Sequence, residues 1–277
     1  MKNTKNYLNI DEIHSALTGI LTEFDRICRK HNLRYSLAYG TLIGAVRHKG
    51  FIPWDDDIDV IMPRPDYEKF RSLALSGELG EHFLLSDDRG KKAFYPFLKV
   101  MDNRYHIKTW STREVPYLFI DIFPLDGAPQ SDKEITKKFR RRTFYNAMAA
   151  FARWAVPRKK RYLILRLLGL PFYLIGTLYG NARASKNALK NALKDDYESS
   201  EKIGVFVFCY TRVVIDKQAF STLIELPFED KQFYAIASYD EFLRKVYGNY
   251  MTPPSKNKQV THDMKVEGHS AQLREGI

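Results

Sequence analysis

Apolar residues recur at helical spacing at Ile10, Ile13, Leu17, Ile20, Leu21, Phe24 and Ile27, with Asn9 and Asp11 near the start, so the pattern predicts an amphipathic helix over residues 10–30. Residues 34–39 then read as a short strand, Gly40-Thr41 as a tight turn, and 42–46 as the first turns of a helix. Asp57-Ile-Asp-Val-Ile-Met62 is an apolar run carrying two carboxylates, which predicts a largely buried strand. Residues 65–75 open on proline and predict a second helix. Residues 82–85, 95–100 and 117–123 read as strands completing a mixed sheet, and this half of the chain ends near Asp126. Beyond Pro129, residues 133–154 and 158–193 predict helices. Residues 203–208 and 212–215 predict strands separated by a Cys-Tyr-Thr turn, and 240–247 a short helix. The fold class is therefore α+β: a mixed sheet with flanking helices, a helical insertion and a small C-terminal α/β part. The divisions fall at 1–129, 130–200, 201–252 and 253–277, the last a polar, loosely ordered tail.

With 44% hydrophobic and 28% charged residues in 277, the chain has an ordinary globular composition and enough length to bury a substantial core. Its first ten residues are polar and lack the apolar core of a secretory signal, so a cytoplasmic location is expected. Cys28 and Cys209 have no metal-ligand spacing and read as buried free thiols.

Charge changes the picture more. The net charge is +11, and residues 133–166 alone carry twelve Lys or Arg against one acid, Glu134. Such a band attracts phosphate-rich surfaces. Directly after Arg158-Lys-Lys-Arg161 comes an apolar run from Tyr162 to Tyr179 containing one charge. As a helix it spans about 27 Å, short of a bilayer core of about 30 Å, and Pro171 interrupts it. Three readings stay open for this run: a buried packing element, an interfacial helical hairpin, or a true span. The basic band adjoins this run and no nucleic-acid-binding module. The expected partner is therefore an anionic membrane surface on the inner face of the plasma membrane, and not nucleic acid.

The candidate chemistry concentrates between Tyr39 and Met62. Asp57 and Asp59 flank Ile58, so on a strand their carboxylates share one face. Unpaired, each carries a large desolvation cost, which a divalent cation removes. Oxygen-only ligands favour Mg²⁺ or Mn²⁺, and Mg²⁺ typically combines one or two carboxylates with substrate phosphates. Asp55 has the same parity and is a further candidate ligand; Asp56 has the opposite parity and is expected to face solvent. Gly40 permits close backbone approach, the Thr41 hydroxyl suits a phosphate oxygen, and N–H groups at the helix start attract anions. Arg47 and His48 follow as groups that neutralise phosphate charge, with Lys99 and Arg104 as further basic candidates. Trp54 and Trp110 suit either stacking on a base or sugar or a place in the core.

The order strand, Gly-Thr turn, helix, Pro-Trp loop, carboxylate strand matches the nucleotidyltransferase superfamily. The wording Gly40-Thr-Leu-Ile-Gly-Ala-Val-Arg-His-Lys-Gly-Phe-Ile-Pro-Trp-Asp-Asp-Asp-Ile-Asp59 closely resembles the LicD and fukutin family of phosphotransferases. Phe97-Leu-Lys-Val-Met-Asp102, Phe119-Ile-Asp-Ile-Phe-Pro-Leu-Asp126 and the stretch from Tyr239 to Pro254 resemble bacterial members; residues 133–201 carry no matching motif. The resemblance implies a nucleotidyltransferase-like catalytic core over 1–129 and a third carboxylate from a separate strand. Asp121, between Ile120 and Ile122, fits that place, as metal ligand or as general base, with Asp126 the second choice. It further implies metal-dependent transfer of a phospho-alcohol, phosphocholine-like or a polyol phosphate, from a CDP-linked donor. The acceptor would be a hydroxyl of a cell-surface glycan or lipid-linked glycan precursor, and CMP would leave. Two alternatives stand beside it: an Asp-x-Asp glycosyltransferase using a nucleotide sugar, and an inactive membrane-associated glycan-binding protein. The first generally places a βαβ region before its Asp-x-Asp, whereas only one helix and one strand precede the Gly-Thr turn here. The second would have lost carboxylates that are all present.

Overall fold

The computed structural model describes residues 7–89, 95–108, 115–153, 163–208, 211–255, 257, 259 and 264–268. Helix α1 (Ile10–Lys30) has ends set by local chemistry. The Asn9 side chain accepts the Glu12 N–H at 3.0 Å while the Glu12 carboxylate accepts the Asn9 N–H at 2.8 Å, a reciprocal cap for two helix-start donors. The expected apolar stripe is buried from Ile13 to Cys28. Burial pushes the Cys28 thiol well above its ordinary pKa, as suits a packing residue; Cys209 and Trp110 lie outside the described residues.

After α1 come β1 (Ser36–Leu37), α2 (Tyr39–Arg47), β2 (Asp59–Pro63), α3 (Arg64–Leu75), β3 (Phe83–Ser86), β4 (Leu98–Lys108) and β5 (Tyr117–Gly127). With β10 (Lys265–Glu267) they form a mixed sheet in the order β1-β2-β5-β4-β10, and β3 also pairs with β4. Strands β2 and β5 run parallel, while β1–β2, β3–β4, β4–β5 and β4–β10 are antiparallel. Alternate residues Leu118, Ile120 and Ile122 of β5 are fully buried, as are Ile58 and Val60 to Met62 around β2. The parallel β2–β5 pair therefore lies at the centre of the core and holds the sheet's polar positions in fixed register.

Beyond β5, α4 (Asp132–Arg153), α5 (Leu163–Tyr179) and α6 (Asn181–Ala192) pack on one another. The helix expected over 158–193 is divided at Gly180, whose φ of 88° ends one helix and whose carbonyl starts the next; residues 158–162 lie outside the described residues. The insertion is fastened to the sheet by buried cations. Lys138 Nζ donates to the Gly127 carbonyl at 2.7 Å, and Arg142 donates to the Val205 and Thr211 carbonyls at 3.0 and 2.9 Å. The basic band is thus divided, with Lys138, Arg142 and Arg153 buried and Lys133, Lys137, Arg140 and Arg141 exposed. Among the described residues no helix is long and apolar enough to cross a membrane.

Strands β6 (Lys202–Gly204) and β7 (Val214–Asp216) extend from the end of β5. A hairpin, β8 (Leu223–Phe228) and β9 (Lys231–Ile236), and helix α7 (Tyr239–Tyr247) complete the C-terminal part. Three expectations need correction. The hairpin is absent from the sequence reading, because its turn uses Glu229 at φ 54° where a glycine or asparagine would signal it. The tail is not wholly loose: Val266 is fully buried, and β10 pairs with β4, which explains why β4 runs to Lys108. The strand over 34–39 shrinks to Ser36–Leu37, since Tyr39, at φ 48°, already turns the chain into α2.

Candidate active site

Gly40 and Thr41 consequently lie within the first turn of α2, not in a turn before it. That helix has no side-chain N-cap, its N-cap residue being Ala38, so its leading end carries the partial positive charge of a helix N-terminus. The Ala38 N–H donates to the Asp59 carbonyl at 3.0 Å, and the Asp59 N–H donates to Thr41 Oγ1 at 2.9 Å. Both backbone groups of Asp59 are thereby tied to the start of α2. Thr41, read from sequence as a phosphate contact, is buried and holds the carboxylate strand in place.

Cross-strand register builds the rest. Asp59 on β2 is the parallel partner of Asp121 on β5, and Asp121 is the antiparallel partner of Lys99 on β4. Residues in register share a face, so Asp59, Asp121 and Lys99 form one polar row across three strands. The Asp121 N–H donates to the Ile58 carbonyl at 2.9 Å, which locks this alignment. Lys99, expected to meet phosphate, is buried and hydrogen-bonds Asp121. Its ammonium lies 3.5 Å from the Phe119 ring centre, 4.4 Å from that of Tyr95 and 5.1 Å from that of Phe97. Ring faces and a carboxylate together compensate the desolvated cation.

Asp57 and Asp59 are both partly exposed around a fully buried Ile58, as strand alternation requires. The same alternation runs back to Asp55, and Asp56, expected in solvent, is 4% exposed, because it shares the parity of the buried Ile58 and Val60 and so turns toward the core. The Asp55 carboxylate lies against the first turn of α2: a Cβ on Gly40 would stand 2.6 Å from Asp55 Oδ2. Gly40 is therefore glycine for close approach. Gly40→Ala is expected to displace Asp55 and lower turnover on the order of a hundredfold, the scale of an ångström-sized misplacement. Steady-state assays beside thermal unfolding check it, and unchanged turnover refutes it.

Several positioning groups escaped the sequence reading. His14 Nε2 hydrogen-bonds the Asp55 carbonyl at 2.7 Å, and its ring stacks on Phe51 at 3.9 Å. The Glu229 carboxylate accepts the Phe51 N–H at 2.9 Å, and the Glu229 N–H donates to the Lys49 carbonyl at 2.8 Å. The β8–β9 turn and α1 thus clamp the loop that delivers Asp55. His14 sits among apolar helix positions and Glu229 in an unrecognised turn, so neither carried a signal beyond its residue type.

Arg47 donates from Nη1 to the Tyr250 carbonyl at 2.6 Å and from Nε to His48 Nε2 at 2.9 Å. Desolvation, then the Arg47 charge, lowers the His48 pKa, in keeping with a neutral ring that accepts from Arg47. Asp126 and Arg104 are engaged elsewhere. Asp126 is buried and paired with Arg64 at 2.6 Å, and Arg104 pairs with Asp102 at 2.6 Å. Trp54 packs against the core while remaining partly exposed.

The donors gathered beside α2 are carboxylate oxygens, two of them abreast on neighbouring strands. That set fits a hard divalent cation. Among the described residues no group of three or more His, Cys, Asp or Glu stands ready to hold a metal ion. Mg²⁺ held by one or two carboxylates typically takes its remaining ligands from water and substrate phosphates.

Residues 32–165 match the family model described as LicD/FKTN/FKRP, nucleotidyltransferase domain. The lipopolysaccharide cholinephosphotransferase LicD of Haemophilus influenzae is 32% identical over 265 residues, covering 93% of this chain and 97% of that protein. An uncharacterized protein of Rickettsia typhi is 33% identical over 69 residues, 25% of this chain and 22% of its own length. The likeness therefore continues past residue 133, where the sequence alone shows no matching motif.

Proposed function

Because this chain belongs to the LicD/FKTN/FKRP nucleotidyltransferase family, we propose that it transfers phosphocholine from CDP-choline to a hydroxyl of a lipopolysaccharide-type surface glycan, releasing CMP. The observation that carries this reading is the in-register row Asp59–Asp121–Lys99 beside the N-terminus of α2. The end-to-end likeness to a cholinephosphotransferase favours choline over ribitol or glycerol as the headgroup, and favours phosphoryl transfer over glycosyl transfer or an inactive binding role.

Asp57 and Asp59 would hold Mg²⁺ or Mn²⁺, with Asp55 against the adjoining helix turn and Asp121 at the side of the row. Such an ion neutralises charge on the donor diphosphate. The first turn of α2, at Gly40 and Thr41, orients the diphosphate through its backbone N–H groups. Arg47 and His48, at the other end of α2, would neutralise charge on the phosphates or on the leaving nucleotide. Asp121 accepts the proton of the acceptor hydroxyl, and Lys99 holds that carboxylate in position. The acceptor oxygen forms a bond to the phosphorus bearing choline, the bond from that phosphorus to the bridging oxygen breaks, and CMP leaves with the bridging oxygen. Positioning and charge neutralisation supply most of the acceleration in chemistry of this kind.

A donor screen tests the reading. With Mg²⁺ or Mn²⁺ and glycan acceptor, CDP-choline is expected to release CMP at least tenfold faster than CDP-ribitol, CDP-glycerol, UDP-sugars or GDP-sugars. Release from a nucleotide sugar alone would replace this reading with glycosyl transfer.

A further inference from the structure

The helical insertion carries a surface that the transfer chemistry does not use. On α5, Leu170, Leu174 and Leu178 recur at i, i+4 and i+8, with 42%, 51% and 82% of their surface exposed, and Ile175 widens the strip. Gly176 faces the other way, packed so closely on α4 that a Cβ would stand 2.5 Å from Phe151 and Ala152. The exposed strip is therefore the side of α5 turned from its helical neighbours. Burying such residues is worth a large transfer free energy, and contiguous exposed apolar surface of this kind marks an interaction site.

Charge identifies what covers it. Lys133, Lys137, Arg140 and Arg141 lie at i, i+4, i+7 and i+8 on the exposed side of α4, and Phe144 continues the line. Lys137, Arg140, Arg141, Phe144 and Tyr145 line one groove of 380 Å³. The half-exposed Phe144 ring meets Tyr179 edge-on at 5.9 Å, which joins this basic groove to the C-terminal end of the apolar strip. A basic stripe merging into an exposed apolar ridge on a helix pair neither member of which is both long and apolar enough to span, among the described residues, is the signature of an interfacial element on an anionic bilayer.

We propose that the α4/α5 face docks on an anionic lipid surface, with Leu170, Leu174 and Leu178 entering the acyl boundary and Lys137, Arg140 and Arg141 meeting the headgroup phosphates. Helix α4 gives this face a fixed relation to the active site. Lys138 anchors its first half to Gly127, six residues along β5 from Asp121, about 20 Å at strand rise. Its last residue, Arg153, lies 4.5 Å from the Tyr95 ring centre, and the same ring contacts the Lys99 ammonium beside Asp121. Docking would thus present the site at a set height above the bilayer, suited to a lipid-anchored acceptor. That last point rests on the transfer reading; the docking itself does not.

Co-sedimentation with sucrose-loaded vesicles tests the proposal without donor or acceptor. The protein is expected to bind vesicles of phosphatidylcholine mixed with phosphatidylglycerol and to bind phosphatidylcholine alone on the order of a hundredfold more weakly, as loss of three lysine or arginine contacts implies. Leu174→Asp/Leu178→Asp and Lys137→Glu/Arg140→Glu/Arg141→Glu should each reduce binding at least tenfold. Both should release CMP from CDP-choline with a water-soluble acceptor at wild-type rates, which also shows that they fold. No binding to anionic vesicles, equal binding to both vesicle types, or unchanged binding by the leucine variant overturns the proposal. So does a dimer in sedimentation velocity that the leucine variant abolishes while vesicle binding persists, since a second copy would then be the occupant. Failure of CMP release by the wild type with vesicle binding intact would count against the transfer reading alone.

Discussion

Asp59→Ala is expected to lower the rate of CMP release from CDP-choline on the order of a thousandfold or more, the scale at which a preorganised electrostatic group contributes, while thermal unfolding shifts by only a few degrees. Asp59 combines three constraints. Its N–H and carbonyl are bonded to Thr41 and Ala38, its register partner is Asp121, and its side chain is partly exposed toward the site. The backbone bonds survive truncation of the side chain, so the strand keeps its place and only the carboxylate is lost. Asp57→Ala, across the buried Ile58, is expected to act in the same direction. Mn²⁺ binding followed by electron paramagnetic resonance supplies a readout independent of turnover, and both variants should bind the ion at least tenfold more weakly. Near-normal turnover by folded Asp59→Ala would remove the carboxylate site from the mechanism altogether.

Asp126→Ala is expected to have its large effect on stability instead. Arg64, the first residue of α3, donates from Nε to Asp126 Oδ1, and both side chains are almost wholly buried. The guanidinium also lies 4.7 Å from the Tyr67 ring centre and 3.1 Å from Glu68. Although burial by itself lowers the Arg64 pKa, the facing Asp126 charge and hydrogen bond more than offset it, so the net direction is upward. Removing Asp126 leaves a buried cation without its main counter-charge, which costs about 3–5 kcal/mol. Urea denaturation should show that loss, and activity per folded molecule, measured at low temperature, should stay within a few-fold of wild type. A variant with normal stability and no turnover would instead make Asp126 the proton acceptor that we assign to Asp121.

Asp121 and Asp126 look alike in Phe119-Ile-Asp-Ile-Phe-Pro-Leu-Asp126, since each carboxylate interrupts an apolar strand. Five positions apart on one strand, they point to opposite faces, so parity alone separates them once the strand is known to run unbroken to Gly127. Lys99 offered no comparable clue. A basic residue in Phe97-Leu-Lys-Val suggests phosphate as readily as a counter-ion, and only the β4–β5 register reveals Asp121 as its neighbour. Asp56 misled for a related reason: parity separates it from Asp57 and Asp59, but only packing shows that the opposite face, shared with Ile58 and Val60, is the buried one.

Local features were legible wherever neighbours in sequence decide the outcome. Helix α1 begins and ends where the apolar spacing and the Asn9–Glu12 exchange place it, and α3 begins at Arg64, one residue before the Pro65 that predicts it. The hairpin β8–β9 and strand β10 were not, because a turn with Glu229 at positive φ lacks the usual glycine signal and a three-residue strand exists only through its distant partner, β4.

Residue order by itself determined the α+β class, the run Gly40 to Asp59 that marks the family, the facing of Asp57 and Asp59, and the local excess of positive charge, because each depends on spacing along a helix or strand. Tertiary structure alone decided that Asp121 stands beside Asp59, that Lys99 serves Asp121, that Thr41 and His14 hold the carboxylate loop, and that Lys138, Arg142 and Arg153 of the basic band are buried while Lys137, Arg140 and Arg141 stay exposed near an exposed apolar ridge. These depend on cross-strand register and helix packing between segments tens of residues apart, which no periodicity within a single segment encodes.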